Sequence, residues 1–308
     1  MDKQSRSAAE LRYIGKEDRE YPGILRQYER MPAGLYVKGS LPDPGRRSVA
    51  VVGARNCSGY GRTQALQFSE ALAREGVQII SGLAYGIDTY AHQGALKGGG
   101  ATFAVLGCGV DVCYPKENYL LYEEILKKEG GILSEYEPGT PPLSWHFPIR
   151  NRIISALADL ILVVEARKKS GSLITAEYAL EQGKNIFAVP GRVGDACSAG
   201  CNALIAQGAG IAWSPEVLLE ELFSGWQSGK EAESEKAAET EDGRTAALSP
   251  EEKKIYSCLE SAEQPLESIS RESGLEIRKT AAALTNLCMN GFAVCRVPGY
   301  YCRAEDWE

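Results

Sequence analysis

From Leu35 onward, short apolar runs rich in β-branched residues alternate with longer amphipathic segments. The runs are Ser48 to Val52, Val77 to Ile80, Ala101 to Leu106, Gly131 to Glu135, Leu160 to Glu165, Asn185 to Val189 and Gly210 to Trp213. Helix-like patterns follow them, such as Gly59 to Arg74, Glu117 to Lys128 and Ser172 to Gln182. Runs apolar on both faces and separated by helices predict a parallel sheet covered on both sides, which is a doubly wound α/β domain.

Such sheets bind ligands at the carboxyl ends of their strands, beside helix N-termini. The small-residue turns fall there: Gly53-Ala54-Arg55, Ser81-Gly82-Leu83-Ala84-Tyr85-Gly86, Gly107-Cys108-Gly109 and Lys168-Lys169-Ser170-Gly171-Ser172. The pattern changes between about Ser224 and Ala247, where Ser, Glu, Ala, Lys and Gly dominate, as in a flexible acidic linker.

Beyond it, Ser249-Pro250-Glu251-Glu252 combines an N-cap, a first-turn proline and acidic first-turn residues. Helices are expected to about Ser261, over Leu266 to Glu272 and over Ile277 to Asn290, followed by a hairpin through Pro298-Gly299. Three helices and a hairpin predict a winged helix. Its third helix carries only Arg278 and Lys279 beside Glu276, which favours a protein contact, self-association included, over duplex reading. The division expected is a helical lead-in over 1–45 with a helix from Lys16 to Arg30, the α/β domain over 46–223, the linker over 224–247 and the winged helix over 248–308.

Composition narrows the class. A chain of 308 residues, 44% apolar, can bury a large core. The segment Met1 to Arg6 has no apolar signal core, and no stretch approaches the roughly 18 apolar residues of a membrane helix, so a cytoplasmic protein is expected. Nine cysteines without repeated CxxC spacing read as reduced core thiols, and with only His92 and His146 no metal site is expected. A net charge of −7 argues against indiscriminate coating of DNA and leaves room for a local basic groove.

The segment Phe147-Pro148-Ile149-Arg150-Asn151-Arg152 supplies an aromatic ring, two guanidinium groups and an amide ahead of a strand-like apolar run, with no nucleophile. Arg forks grip phosphate, and a ring offers a base a face to stack on. The turn from Gly53 to Gly61 joins a buried strand to a helix; Arg55 adds a fixed charge, and Ser58 and Gly61 lie within it. It is not a GxGxxG fingerprint, and a tight turn with a surface arginine is the plainer alternative.

Ser170, Gly171 and Ser172 open a helix after Arg167-Lys168-Lys169, as an anion seat or an ordinary cap. Lys116 follows Tyr114-Pro115 and points either into the same crevice or into solvent. Asp88 and His92 are four apart; orienting the adjoining loop is favoured over acid–base catalysis. His146 reads as packing or base-contacting, and Glu135 and Glu165 are expected to pair with Arg150, Arg152 or backbone amides.

These motifs, from Gly53-Ala54-Arg55 and Ser58-Gly59-Tyr60-Gly61 through Ser81 to Asp88, Gly107 to Asp111 with Tyr114-Pro115, Phe147 to Arg152 and Ser170 to Ser172, together resemble the DNA processing protein A (DprA/Smf) family over roughly Leu35 to Phe223. The resemblance implies an extended Rossmann-like fold that binds single-stranded DNA, forms homodimers and helps load the RecA recombinase during natural transformation, with no catalysis and no cofactor. It places the DNA site on Gly53, Arg55, Ser58, Gly61, Ser81, Gly82, Lys116, Phe147, Arg150, Asn151, Arg152, Ser170, Gly171 and Ser172, with Phe147 stacking on a base. Ser144 stands where some members place a basic residue, which implies a weaker phosphate grip there.

Two other functions compete. A nucleoside-monophosphate glycohydrolase would use the Ser170 helix as a phosphate seat and Glu177 as its acid, but the Pro-Gly-Gly-x-Gly-Thr seat of such enzymes is absent. A winged-helix regulator with a ligand-sensing α/β domain is the weaker alternative.

Overall fold

A computed structural model describes residues 10–223, 248–259, 264–297 and 299–304. The chain forms two compact units, Met1–Gln227 and Ser228–Glu308. The expected linker over 224–247 lies outside the described residues. No helix among the described residues is long and apolar enough to cross a membrane.

The first unit is built on strands β1 (Leu11–Gly15), β2 (Gly34–Gly39), β3 (Ser48–Val52), β4 (Gln78–Ser81), β5 (Thr102–Leu106), β6 (Gly131–Ser134), β7 (Leu160–Val163), β8 (Asn185–Ala188) and β9 (Gly210–Ile211). Around them pack helices α1 (Gly59–Arg74), α2 (Ile87–Lys97), α3 (Tyr119–Lys127), α4 (His146–Leu157), α5 (Gly171–Glu181), α6 (Ala199–Ala206) and α7 (Pro215–Leu222). The sheet runs β1-β2-β6-β5-β4-β3-β7-β8-β9. From β6 to β9 every pairing is parallel, while β1–β2 and β2–β6 are antiparallel.

The parallel strands are apolar on both faces because both faces are covered. Val49 and Val51 of β3 join Leu160 and Leu162 of β7 in one core, against Phe68 and Leu72 of α1. Ala50 and Val52 face the other way, with Ile161 and Val163 against Ile153 and Ile154 of α4. Each fully buried Val, Leu or Ile of this kind stabilises by roughly 1.5–3 kcal/mol. The doubly wound, Rossmann-like fold expected from the pattern is therefore the one observed.

Two local expectations fail. The segment expected as a helix from Lys16 to Arg30 holds only a 3-10 turn at Gly23–Gln27, between the antiparallel strands β1 and β2. Ile14, Leu35 and Val37 bury against Tyr21 and Leu25, so alternation at the sheet edge outweighs the helical tendency of a short polar segment broken by Pro22 and Gly23. The run after Phe147, expected to continue as a strand, is instead helix α4. His146, Arg150, Ile153, Ile154 and Leu157 are among its buried positions, a spacing of three and four that matches one helix face, and Ser155 and Ala156 are buried as well toward its end.

The second unit contains α8 (Pro250–Cys258), β10 (Gln264–Pro265), α9 (Leu266–Ser273), α10 (Ile277–Met289), β11 (Ala293–Val297) and β12 (Tyr300–Arg303), with sheet order β10-β12-β11. Ser249 and Glu252 close a reciprocal capping box at the start of α8. Ile255, Ile269, Leu284 and Leu287 form the core of this winged helix.

Candidate nucleic-acid interface

The strand order reverses direction at β3: β4, β5 and β6 follow on one side, β7, β8 and β9 on the other. Loops leaving β3 and β7 diverge from this switch point and open a crevice at the carboxyl ends of the strands. Its volume is about 570 Å³. Gly53 to Asn56 form its floor after β3, Tyr114, Pro142, Ser144, Phe147 and Pro148 line it from the β5 and β6 side, and Arg167, Lys169 and Ser170 to Ser172 line it from the β7 side.

A buried carboxylate holds the floor. Glu165 is 1% exposed and accepts from both the amide and the hydroxyl of Ser58, each at 2.7 Å. The Ser58 hydroxyl in turn accepts from the Gly61 amide and caps α1. A side chain at position 61 would collide with the Glu165 carboxylate, so only glycine lets α1 start this close to β7. The pairing expected for Glu165 with backbone amides is thus observed, and Ser58 and Gly61 serve the fold rather than the crevice lining.

The Phe147 ring is the centre of the aromatic side. The Arg55 guanidinium lies over it at 4.9 Å and Tyr114 packs beside it at 5.5 Å between centroids. Arg55 is exposed and Phe147 half-buried, so a solvent-facing cation covers a partly accessible ring. Opposite, Ser170 caps α5, its hydroxyl accepting from the Ser172 amide and bonding the Ser172 hydroxyl at 2.8 Å. Arg167 and Lys169 are exposed beside that helix N-terminus, where the helix dipole favours an anion. Asn151 bridges the two sides, its amide nitrogen donating to the Gly171 carbonyl.

The two arginines of the Phe147 motif have other employment. Arg150 is 3% exposed and donates to the carbonyls of Gly82, at 3.0 Å, and Val105. Burial lowers its pKa to about 10, opposed by nearby Asp88. Arg152 is held in a two-pronged pair with Glu135, at 2.8 and 2.7 Å, and donates to the Arg30 carbonyl, tying α4 to β6 and to the N-terminal segment. The pairing expected for Glu135 is found. Arg150 still borders the crevice, whereas Arg152 does not.

Ser81 and Gly82 are likewise structural: the buried Ser81 hydroxyl donates to the Val51 carbonyl, and Gly82 meets Arg150 so closely that any Cβ would strike its guanidinium. Lys116 is exposed on a 3-10 turn and lies outside the crevice lining. Arg167 and Lys169 are the cations that sequence reasoning left outside the site; their signal was a basic run immediately before an N-cap at a strand end.

Asp88 and His92 do not form an acid–base pair. The Asp88 carboxylate accepts from the Gly82 and Ala84 amides, and burial pushes its pKa up against the pull of Arg150. His92 is fully buried, with Nδ1 2.7 Å from the Thr102 hydroxyl. That hydroxyl donates to the Ile79 carbonyl, so it accepts from Nδ1–H. Burial, reinforced by Arg150, lowers the His92 pKa to about 3. His146 packs: its ring stacks on Tyr136 at 3.8 Å, with Nδ1 3.1 Å from the Gly107 carbonyl. In the winged helix, Arg278 and Lys279 are both exposed on α10, and Lys279 pairs with Glu251 at 3.3 Å.

Comparison with known proteins covers both units. Residues 12–223 match the model of the DNA recombination-mediator protein A family, and residues 239–299 match the DprA winged helix domain. Protein Smf of Escherichia coli is 38% identical over 283 residues, which is 92% of this chain and 75% of that protein. The crystal structure of DNA processing protein A from Streptococcus pneumoniae superposes with a TM-score of 0.66 at 43% identity, over 69% of this chain and 75% of that one. DNA processing protein A from Helicobacter pylori, solved to describe its single-stranded DNA binding mode, superposes with a TM-score of 0.62 at 29% identity, over 72% of this chain and all of that one.

Proposed function

The chain belongs to the DNA recombination-mediator protein A family, and from that premise we propose that its crevice binds single-stranded DNA. In this reading the protein protects incoming DNA and helps load the RecA recombinase during natural transformation, acting in the cytoplasm as a homodimer and turning over no substrate. The observation that carries the reading is the Phe147 ring, flanked by Arg55 and Tyr114 and set opposite the Arg167 to Ser172 loop. One wall offers a face for a base and the other offers cations and a helix N-terminus for the backbone.

Phe147 stacks on a base, Arg55 and the 167–172 loop hold phosphates, and Arg150 and Asn151 keep the two walls in register. A contribution of roughly 1–3 kcal/mol per stacked base suits a tolerant site that grips many sequences. The glycohydrolase alternative is disfavoured because Glu177 is exposed on α5 outside the crevice lining and Asp88 is committed to backbone amides.

The test is fluorescence anisotropy of labelled oligo-dT against duplex of equal length. Neutralisation by Arg55, Arg167 and Lys169 predicts a log–log salt slope near −2, at about −0.7 per contact. Arg55→Ala and Phe147→Ala should each weaken single-strand binding while leaving the fold intact. Equal affinity for duplex, or no loss in either variant, removes the assignment.

A further inference from the structure

Trp145 is the most conspicuous apolar group beside the crevice that the site described so far leaves unused. It is the N-cap residue of α4 and 60% exposed, flanked in sequence by the crevice-lining Ser144 and Phe147. The indole is not among the lining residues, but Ser144 before it and Phe147 and Pro148 after it are, which keeps its backbone at the crevice wall. Its mount is fixed: it packs edge-on against His146 at 5.5 Å, and His146 is held by the Gly107 carbonyl and the Tyr136 ring. A tryptophan offers a broad apolar face with a polar edge, which suits it to contact surfaces.

We infer that Trp145 is a second base-stacking platform, which takes the nucleobase next to the one on Phe147 as the strand leaves the crevice. This rests on the reading of the crevice as a single-strand site. Residues two apart at a helix start project in different directions, so one base cannot cover both rings. A polynucleotide passing over the rim can place successive bases on each. Two of the three lining cations assigned to phosphates, Arg167 and Lys169, lie on the β7 side, with Arg55 over Phe147, and the β7 pair draws the backbone toward that loop and leaves the bases to Phe147 and Trp145.

The experiment compares the full-length protein with Trp145→Ala, Trp145→Phe and Arg55→Ala. Each is titrated with oligo-dT and with an abasic deoxyribose-phosphate oligomer of equal length. Trp145→Ala should weaken oligo-dT binding about 5- to 100-fold, the equivalent of one lost stack, and leave the abasic oligomer unaffected. Trp145→Phe should keep most of the affinity, and Arg55→Ala should weaken both ligands.

Unchanged oligo-dT binding by Trp145→Ala overturns the inference. Equal losses on both ligands overturn it too, since the ring would then be acting through the fold. Failure of the unsubstituted protein to bind oligo-dT ends the single-strand reading itself, which separates the two failures.

Discussion

The Arg150–Arg152 segment of α4 and the Arg167–Lys169 loop after β7 are both basic, lie at the same edge of one sheet and look alike in the sequence. In α4 the cations are consumed: Arg150 joins the β4 and β5 ends through the Gly82 and Val105 carbonyls, and Arg152 pairs with Glu135. In the loop, Arg167 and Lys169 remain exposed at a helix N-terminus. The difference teaches that a fork of donors reads equally well as a phosphate grip and as a clasp for loop carbonyls. Burial decides between them, because a guanidinium taken out of water has to find every partner inside the protein.

The largest expected break in this contrast is Arg150→Ala. It leaves Asp88 and two buried carbonyls without their cation, and should cost about 3–5 kcal/mol in urea denaturation. A loss below about 1 kcal/mol would show that the buried clasp is dispensable.

Acid sharpens the same point. Folded His92 stays neutral down to about pH 3, while an unfolded imidazole takes up a proton near pH 6.5. The unfolded state therefore binds more protons across that window, and stability falls as pH drops through it. Between pH 7 and pH 4.5 the His92 contribution should amount to about 2–3 kcal/mol. His92→Gln should flatten this dependence, and an unchanged slope would discard it.

On the loop side, the double variant Arg167→Ala with Lys169→Ala should weaken oligo-dT about tenfold or more and make the salt slope shallower by about 1.4. Stability should move by no more than about 0.5 kcal/mol, as for other exposed positions. A large stability loss with unchanged binding would reverse the two roles. The smallest effect belongs to Lys116→Ala, which should alter oligo-dT affinity by less than about twofold; a tenfold loss would bring the 3-10 turn into the path of the strand.

Much of the architecture was legible. The β3 to β9 strands appear as apolar runs because a parallel sheet covered on both sides needs no alternation. The Ser170 and Ser249 caps were readable because capping is local chemistry, whereas Ser58, expected in the DNA site, proved to be the cap of α1. The edge strands β1 and β2 were not, since they are fixed by antiparallel pairing with each other and with β6. Helix α4 was misread because Ile153 and Ile154 look strand-like until Arg150 counts as a buried position.

By itself the sequence determined the doubly wound sheet, the winged helix, the carboxyl-end turns and the aromatic and cationic stock from which a site could be made. Only the tertiary structure decided which cations face solvent. Phe147 meets Arg55 across more than ninety positions of sequence, and Glu165 holds Ser58 across 107, so those juxtapositions exist only once the sheet has assembled. Residue type sets which partners a side chain accepts; the packed neighbours determine which of them it has.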